Sequence, residues 1–386
     1  MKSKFEVLPG IRDLRFDTLR GLFLVCMTIN HLPTEIRAVT DQSLGIFSAA
    51  EGFVFLSGLI AGWVYTRKYR TQGAAGLSLA SAGRAKSIYR WHIGSFLAAF
   101  VGVRAVEIYL GYCSPAVPKL FFSHPLESLG LGLSLLYQPG LLDLLPMYCA
   151  FVLLLPVVIS ALEAGRRWLV LGLSAAVWLA VQWAPPVDGA PLYPIVTGCF
   201  NLFAWQFLFI AGVAIGHARI GGAEQVARPR PWVLAAAAAV AVYAFGFRHF
   251  QWPVVWSEHT FGILLNKPAL GLFRMADFAA VAYLVAALGA RFPSALTYRP
   301  LAFLGRHSLA VVAAQSVAIM VLLPFAAPFA TAFSRTLTAA CVVALLFAVA
   351  GARQAILAHR PGAPVPIGTR QPGGPRLIRP DDARAA

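Results

Sequence analysis

The chain has 386 residues, of which 59% are hydrophobic and only 12% are charged, and its mean hydropathy is +0.70. A soluble domain is nearer half apolar and a quarter charged, so this composition excludes an ordinary soluble fold and predicts a polytopic membrane protein. The formal net charge is +16, but no basic, aromatic-rich domain accompanies it, which argues against nucleic acid as a partner. The 5 cysteines are scattered without a CxxC pair, so they predict no redox or disulfide framework.

Ten apolar segments follow one another along the chain, each about as long as a bilayer crossing requires. They cover residues 18–34, 44–66, 88–111, 143–163, 166–184, 200–217, 231–248, 271–290, 307–326 and 336–354. We therefore predict an all-α, transmembrane helical bundle of about ten spans over residues 18–354. Residues 1–17 are predicted to be a cytoplasmic segment, and residues 355–386, rich in Pro, Gly and Arg, a disordered cytoplasmic tail.

Basic residues are distributed unevenly between the two sides of this predicted bundle. Most of the 32 Lys and Arg lie at the N-terminus, in alternate loops such as 66–90, and in the tail. The exceptions are Arg37, Arg104, Lys119, Arg248, Lys267, Arg274 and Arg335. The positive-inside rule therefore predicts that both termini are cytoplasmic. The apolar segments themselves predict that the lipid bilayer is a partner.

The first span carries Arg20 and His31. Ionisable groups are costly inside a bilayer, so each is a functional candidate. Their separation of eleven residues corresponds to about 1100° of helix rotation and a rise of about 16 Å, so both side chains share one face. In the alternative interpretation, Arg20 is only a topology anchor and His31 only a polar residue at the helix end.

Glu51 lies about seven residues inside the second span, at a predicted depth close to that of His31. A carboxylate beside an imidazole is typical of a general base, because the carboxylate fixes the tautomer and stabilises the imidazolium. The alternative is a neutral, hydrogen-bonded Glu that holds two helices together. The small residues around it, including Ser57, Gly58 and Gly62, favour close helix contact in either case.

Charged residues also cluster at both ends of the predicted spans. On the inner side, Arg84, Lys86, Arg90 and His92 precede the third span, either as topology signals or as a phosphate clamp. On the outer side, the pairs Arg104–Glu107 and Arg274–Asp277 either neutralise themselves or form an outward-facing polar pocket. Between residues 249 and 267, His249, Trp252, Trp256, Glu258, His259 and Lys267 indicate either an interfacial anchor belt or a sugar-binding surface.

The motif RDLRFDTLRGLFLVCMTINHLP, with Arg20 ten residues before His31, resembles the first-helix signature of the membrane-bound acyltransferase-3 superfamily. The blocks AAEGFVFLSGLIAGWVY, LDLLPMYCAFVLLLP, FNLFAWQFLFIAGVAIG, NKPALGLFRMADFAAVAYL and LGRHSLAVVAAQS resemble successive blocks of the OpgC family. The resemblance runs from about residue 12 to residue 325. Members of that family are associated with succinylation of osmoregulated periplasmic glucans. The resemblance therefore implies a multi-pass protein of the bacterial inner membrane.

The resemblance also implies a reaction, in which an acyl group moves from a cytosolic acyl-CoA, succinyl-CoA or another short one, to hydroxyls of a periplasmic glucan. His31 would then be catalytic, with Glu51 orienting it and Arg20 structural or in contact with the donor; Arg84, Lys86 and Arg90 would hold the phosphates of the donor. Lys267 or Arg274 would bind the free carboxylate of a succinyl group. Further residues within the matching blocks are Asp143, Tyr148, Asn201, Trp205, Gln206, Asp277 and His307, of which Asp143, Trp205, Gln206 and Asp277 are candidate substrate contacts. No metal is implied.

Three questions stay open at the level of the sequence. His31 could act as a general base or carry the acyl group itself. Buried Glu, His and Arg residues in a helical bundle also describe a proton-coupled secondary transporter, although we find no internal repeat, and a non-catalytic scaffold is a third interpretation. The oligomeric state is not indicated. The chain has no phosphate-binding P-loop and no GxSxG nucleophile motif, which argues against ATP-driven and serine-hydrolase functions.

Overall fold

A computed structural model describes residues 13–111, 120–183, 198–220, 230–253, 258–325 and 329–359. These residues form helices and their connections, without a β-strand in the described ranges. The all-α prediction is therefore confirmed. Most of the predicted N-terminal segment and of the predicted tail lie outside the described residues, and the last helix continues to Ala358.

The helices are, in chain order, α1 (Leu14–Asn30), α2 (Arg37–Thr40), α3 (Ala49–Leu110), α4 (Leu120–Ser123), α5 (Pro125–Leu133), α6 (Leu144–Glu163), α7 (Arg167–Trp183), α8 (Leu202–Ile220), α9 (Pro231–Phe250), α10 (Glu258–Leu265), α11 (Leu272–Arg291), α12 (Arg299–Arg306), α13 (Ser308–Leu322) and α14 (Ala332–Ala358). Each of the ten predicted apolar segments overlaps one of these helices. By length and composition, 6 described helices could cross a membrane, or 7 if the bent pair α12 and α13 is one span. The number of ten spans and the cytoplasmic position of both ends stay predictions.

The helix α3 contains two of the predicted spans and reverses direction at Gly73. It is 62 residues long, and Gly73 has a non-helical backbone with φ 69° and ψ −173°. Both halves pack against α6, since Ser81 donates to the carbonyl of Val152 and Phe53 contacts Tyr148 edge to face at 6.0 Å. The predicted loop 66–90 is therefore helical on both sides of the turn, because its many Ala, Leu, Lys and Arg residues favour helix even where hydropathy is low.

Glycines allow α3 and α8 to pack backbone to backbone. Gly58 and Gly62 of α3 lie against carbonyls of α8, and Gly212 and Gly216 of α8 lie against carbonyls of α3, with no room for a Cβ atom at any of the four. Both pairs have the spacing GxxxG, which is typical of close helix crossings in membranes. The predicted close contact at Gly58 and Gly62 is confirmed, and it fixes one side of the region described next.

The helix predicted over 307–326 is broken at its start. The helices α12 and α13 meet at His307 with a bend of 85°, and α12 packs across the start of α1. Gly21 of α1 lies against the backbone of Leu301, and Gly305 of α12 lies against the backbone of Asp17. The bend places the first turn of α13 beside α1 inside the bundle, and this turn contributes to the candidate site.

Candidate functional site

A cavity of about 330 Å³ lies inside the bundle between α1, α3, α6, α8 and α13. Along the first half of α3 its lining runs from Phe53 to Tyr65, which corresponds to about 18 Å of helix rise. Most of the lining side chains are apolar, and the two charged ones are Arg20 and Arg84. On the predicted orientation, Arg84 lies towards the cytoplasm.

Arg20 lies at the end of the cavity near Phe53, which we call the deep end. Its guanidinium group donates a hydrogen bond to the hydroxyl of Ser308 and lies 5.6 Å from the centroid of the Phe53 ring. Ser308 is the first residue of α13, so the bend at His307 brings this contact into place. The sequence identified Arg20 as a candidate but gave no signal for Ser308, whose position depends on the break between two helices.

Arg84 lies at the opposite end of the cavity, close enough to Tyr65 for its charge to act on that hydroxyl. The predicted clamp also included Lys86 and Arg90, and these two are exposed and are not among the residues that line the cavity. Helical geometry gives the reason, because Lys86 lies about 200° around the helix from Arg84, whereas Lys86 and Arg90 lie within about 40° of each other. Only Arg84 of the three therefore lies at the cavity, and a phosphate clamp that includes Lys86 and Arg90 stays a prediction.

His31 ends α1 as its C-cap residue and is exposed. It does not belong to the cavity lining, because it lies about 16 Å further along α1 than Arg20. The charged side chains whose fields reach its ring include Lys267, Arg37 and Asp41. The structure therefore separates an inner cavity, which contains Arg20, from an outer cluster around His31.

Hydrogen bonds on both sides of His31 hold the end of α1 in place. The hydroxyl of Thr40 donates to the side-chain oxygen of Asn30 at 2.6 Å, and the Asn30 amide donates back to the carbonyl of Thr40 at 3.3 Å. One turn earlier, the buried hydroxyl of Thr28 donates to the side-chain oxygen of Gln315 at 3.0 Å. The backbone that carries His31 is thus fixed to both the following loop and α13.

The loop after His31 is also tied to α14. Arg335 donates from its Nε to Glu35 at 2.9 Å and from a second nitrogen to the same carboxylate. These hydrogen bonds lower the pKa of Glu35 below its ordinary value. The side chain of Leu32 is buried against α13 and α14, so the whole corner after α1 is packed onto the end of the bundle.

Glu51 does not contact His31 in the described part of the chain. It accepts hydrogen bonds from the backbone and hydroxyl of Ser48, at 3.0 Å and 2.6 Å, and forms a buried ion pair with Arg274. The helix α3 begins at Ala49, so Glu51 caps its first turn. The neighbouring Gly52 packs on Phe23 of α1, about 12 Å of helix rise before His31. The prediction that Glu51 orients His31 is therefore wrong, and the alternative of a Glu that joins two helices describes this geometry, as an ion pair with α11.

Arg274 and Asp277 do not neutralise each other as a pair. Arg274 bonds Glu51, whereas Asp277 accepts the backbone N–H groups of Ile46 and Phe47 at 2.6 Å and 3.2 Å. Both α11 side chains thus bind the chain just before α3, which fixes that segment against α11. In contrast, Arg104 and Glu107 form the predicted ion pair with each other.

The segment 266–271, which carries Lys267, is held by donors from α7 and α8. The indole N–H groups of Trp205 and Trp178 donate to the carbonyls of Pro268 and Leu270 at 3.0 Å and 2.9 Å. Gln182 donates to the carbonyl between them, that of Ala269, at 2.7 Å, and the backbone N–H of Asn201 donates to Pro268. Three consecutive carbonyls are thus bound, so the exposed side chain of Lys267 projects from a fixed turn.

Trp205 and Gln206 are buried and bonded within the protein. Trp205 is fully buried, and Gln206 accepts from the hydroxyl of Ser174 at 2.6 Å and donates to its carbonyl at 2.8 Å. Neither side chain is available to a sugar, so their prediction as direct substrate contacts is not supported. Trp178 and Gln182, which no sequence motif singles out, act in the same scaffold.

Asp143 joins the outer cluster from α6. Its carboxylate is buried and accepts the backbone N–H of Cys199 at 2.8 Å, and the charge of Lys267 acts on it. The next residue, Leu144, lines the inner cavity. Adjacent residues at the start of α6 therefore belong to the two different sites, Asp143 to the outer cluster and Leu144 to the inner cavity.

The remaining outer residues contribute less. His249 and Trp252 are exposed, whereas Trp256 and the side chains of Glu258 and His259 lie outside the described residues. His92 is buried and its ring lies 3.3 Å from the carbonyl of Gly132, so it packs α3 against α5. Within the described ranges, no group of three His, Cys, Asp or Glu residues could hold a metal ion.

A comparison with protein families identifies the chain. No curated protein and no solved structure matches it. A family model described as "OpgC protein" matches residues 12–356, which includes every helix that forms the inner cavity and the outer cluster. Membership implies a membrane acyltransferase, and the apolar helices agree with a multi-pass membrane protein. The chain belongs to the OpgC family.

Proposed function

We propose that this protein is a membrane O-acyltransferase of the bacterial inner membrane, which moves a succinyl group from cytosolic succinyl-CoA to hydroxyls of a periplasmic glucan. The observation that carries this proposal is the elongated inner cavity with Arg84 at one end and Arg20 at the other. Its length of about 18 Å and its apolar sides suit a long, flexible thioester arm that enters from one side of the membrane.

The phosphates of the donor would remain near Arg84, because a charged nucleotide does not enter an apolar cavity. The arginine fork is well suited to phosphate oxygens. The pantetheine arm would then lie along the first half of α3, and the acyl group would reach the deep end near Arg20 and Ser308. Lys86 and Arg90 are assigned to the cytoplasmic surface outside the cavity.

Transfer would take place at the outer cluster. In this proposal His31 deprotonates a glucan hydroxyl, which attacks the thioester carbonyl, and the imidazolium returns the proton to the CoA thiolate as the C–S bond breaks. Alternatively, His31 takes the acyl group with release of CoA and then passes it to the hydroxyl. Lys267 and Asp143 are its polar neighbours on that side. Because Leu144 lines the cavity and Asp143 joins the outer cluster, movement at the start of α6 is the shortest way to connect the two sites.

Glu51 has a positioning role in this proposal. With Arg274 and Asp277 it fixes the chain between α2 and α3 against α11. That contact holds the outer half of the bundle together beside His31 and leaves the proton transfer itself to the histidine.

The proposal is tested by mass spectrometry of periplasmic glucans from a deletion strain carrying the wild-type gene or a variant. We expect a series of peaks separated by the mass of one succinyl group with wild type, none with His31→Ala, and a clear reduction with Arg84→Ala. Arg67→Ala is the matched control, because Arg67 is an exposed residue of the same helix outside the cavity lining, and it should retain the series. Glucans that are unchanged by the deletion, accompanied by altered uptake of a solute, would contradict the proposal and favour a carrier.

A further inference from the structure

The deep end of the inner cavity combines three features that favour a negatively charged ligand. The first is the guanidinium group of Arg20, which lines the cavity and bonds Ser308. The second is the beginning of α13, and the third is the hydroxyl of Tyr148. The Phe53 ring lies 5.6 Å from the guanidinium group of Arg20 and 6.0 Å from the ring of Tyr148, and Ser308 joins this group through its hydrogen bond with Arg20.

The first two turns of α13 face the cavity through Ser308, Leu309 and Val312. The helix is 15 residues long, and no side chain caps its start in the described chain. The N–H groups of Ala310 and Val311 donate to the carbonyl of His307, so the positive potential at this helix start comes from the first N–H groups, those of Ser308 and Leu309, and from the helix dipole. Half-helices that begin inside a membrane are suited to anionic ligands for this reason. The break at His307 is what creates such a start at this depth.

Tyr148 provides independent evidence for a ligand. Its side chain is 8% exposed, and its hydroxyl is buried without a hydrogen bond of ordinary geometry within the described chain; the hydroxyl of Ser57, which also lines the cavity, is close enough to act on it. Buried hydroxyl groups are normally hydrogen-bonded, because an unsatisfied one costs free energy. Since Tyr148 lines the cavity, a ligand oxygen at the deep end would satisfy it.

The surroundings of this end are mainly apolar. They include the side chains of Leu144, Leu145 and Phe209, which suit the tip of an extended, largely apolar molecule that carries one compact charged group. Arg84, at the other end of the cavity, is where the proposed function places phosphates.

We propose, resting on the function proposed above, that the deep end of the cavity is a carboxylate site. Arg20, Tyr148 and the start of α13 bind the free carboxylate of the acyl group, so the enzyme selects half-thioesters of short dicarboxylic acids over neutral acyl-CoA donors. Donor selection is then a property of the inner cavity, and it precedes the chemistry at His31. Arg274 takes no part in it, because its guanidinium group is bound by Glu51.

Equilibrium binding to the purified, full-length protein in detergent tests this site. Succinyl-CoA, acetyl-CoA and free CoA are compared by calorimetry, with wild type, Tyr148→Phe and Tyr137→Phe. We expect wild type to bind succinyl-CoA about tenfold more tightly than acetyl-CoA, as one charge-assisted hydrogen-bonded contact predicts. Tyr148→Phe should reduce that preference about threefold. Tyr137→Phe should keep it, since Tyr137 is buried in another cluster of the protein.

The donor comparison on wild type does not depend on whether any variant folds. Equal affinities for succinyl-CoA and acetyl-CoA, or binding of free CoA as tight as that of succinyl-CoA, would overturn the carboxylate site and leave the proposed function intact. A Tyr148→Phe variant that weakens both donors equally would also overturn it. If no CoA compound binds wild type, the proposed function fails together with the site.

Discussion

The ion pair between Glu51 and Arg274 is the most deeply buried contact between opposite charges among the described residues, with side chains 1% and 3% exposed. Removing one partner of such a pair leaves the other charged in a medium that cannot solvate it. The sequence indicated that both residues were costly in a membrane, but they lie 223 positions apart. The hydropathy pattern predicts how deep each charged residue lies in the membrane. It does not predict how each helix is rotated about its axis, and so it does not show which neighbour a side chain faces. For this reason the sequence alone could not exclude a pairing of Glu51 with His31.

This contact gives a prediction about stability. Glu51→Gln and Arg274→Met should each destabilise the protein by about 3–5 kcal/mol, and the double variant should lose less than the sum, because neither charge is then left alone. Thermal unfolding in detergent measures the three values. Glu107→Gln is the matched control, since the Arg104–Glu107 pair is partly exposed and should change stability by about 1 kcal/mol or less. Strictly additive losses would show that the two residues do not interact.

At the scale of the element, the ten apolar segments were identified correctly as helices, whereas their ends and breaks were not. Hydropathy falls in the stretch 67–87, yet the chain remains helical there except at Gly73. The bend before Ser308 was missed for the opposite reason, because apolar character continues along a helix whose axis turns by 85°. A hydropathy profile shows which segments are apolar enough to lie in lipid. It does not show whether a polar segment stays helical, or whether an apolar helix bends.

The turn at Gly73 gives a second prediction. Its φ of 69° and ψ of −173° lie in a region that is essentially restricted to glycine, so Gly73→Ala should cost about 1–3 kcal/mol. An added Cβ meets no atom there, so the cost would be backbone strain alone. Gly83→Ala is the control in the same helix, also in open space, and should stabilise the protein by up to about 1 kcal/mol. Chemical denaturation of both variants should therefore give changes of opposite sign, and equal changes would contradict the reversal of α3 at this residue.

At the scale of the whole molecule, the orientation in the membrane stays a prediction that rests on the distribution of Lys and Arg. It assigns the proposed donor mouth near Arg84 to the cytoplasm and His31 to the periplasm. Both assignments are needed by the proposed reaction, because the thioester and the glucan are on different sides of the membrane. The described contacts are the same for either orientation.

Cysteine labelling checks the orientation. In a variant without the five native cysteines, Val39→Cys and Arg67→Cys place single thiols at exposed positions of α2 and α3. A membrane-impermeant maleimide should label the thiol at position 39 in intact spheroplasts, and the thiol at position 67 only after the membrane is permeabilised. The reverse pattern would contradict the cytoplasmic position of both ends.

The contact between α1 and α12 has a consequence for how the protein is made. The backbone N–H of Tyr298 donates to the hydroxyl of Thr18 at 3.1 Å, across a separation of 280 residues. At about 5–20 residues per second, a ribosome needs about 15 seconds to a minute to add that length of chain. The helix α1 is therefore in the membrane during most of translation before α12 and α13, which cover Asp17 and Arg20, have been synthesised. A chain truncated before α12 would leave both charges against lipid, and degradation by membrane quality control is its expected fate.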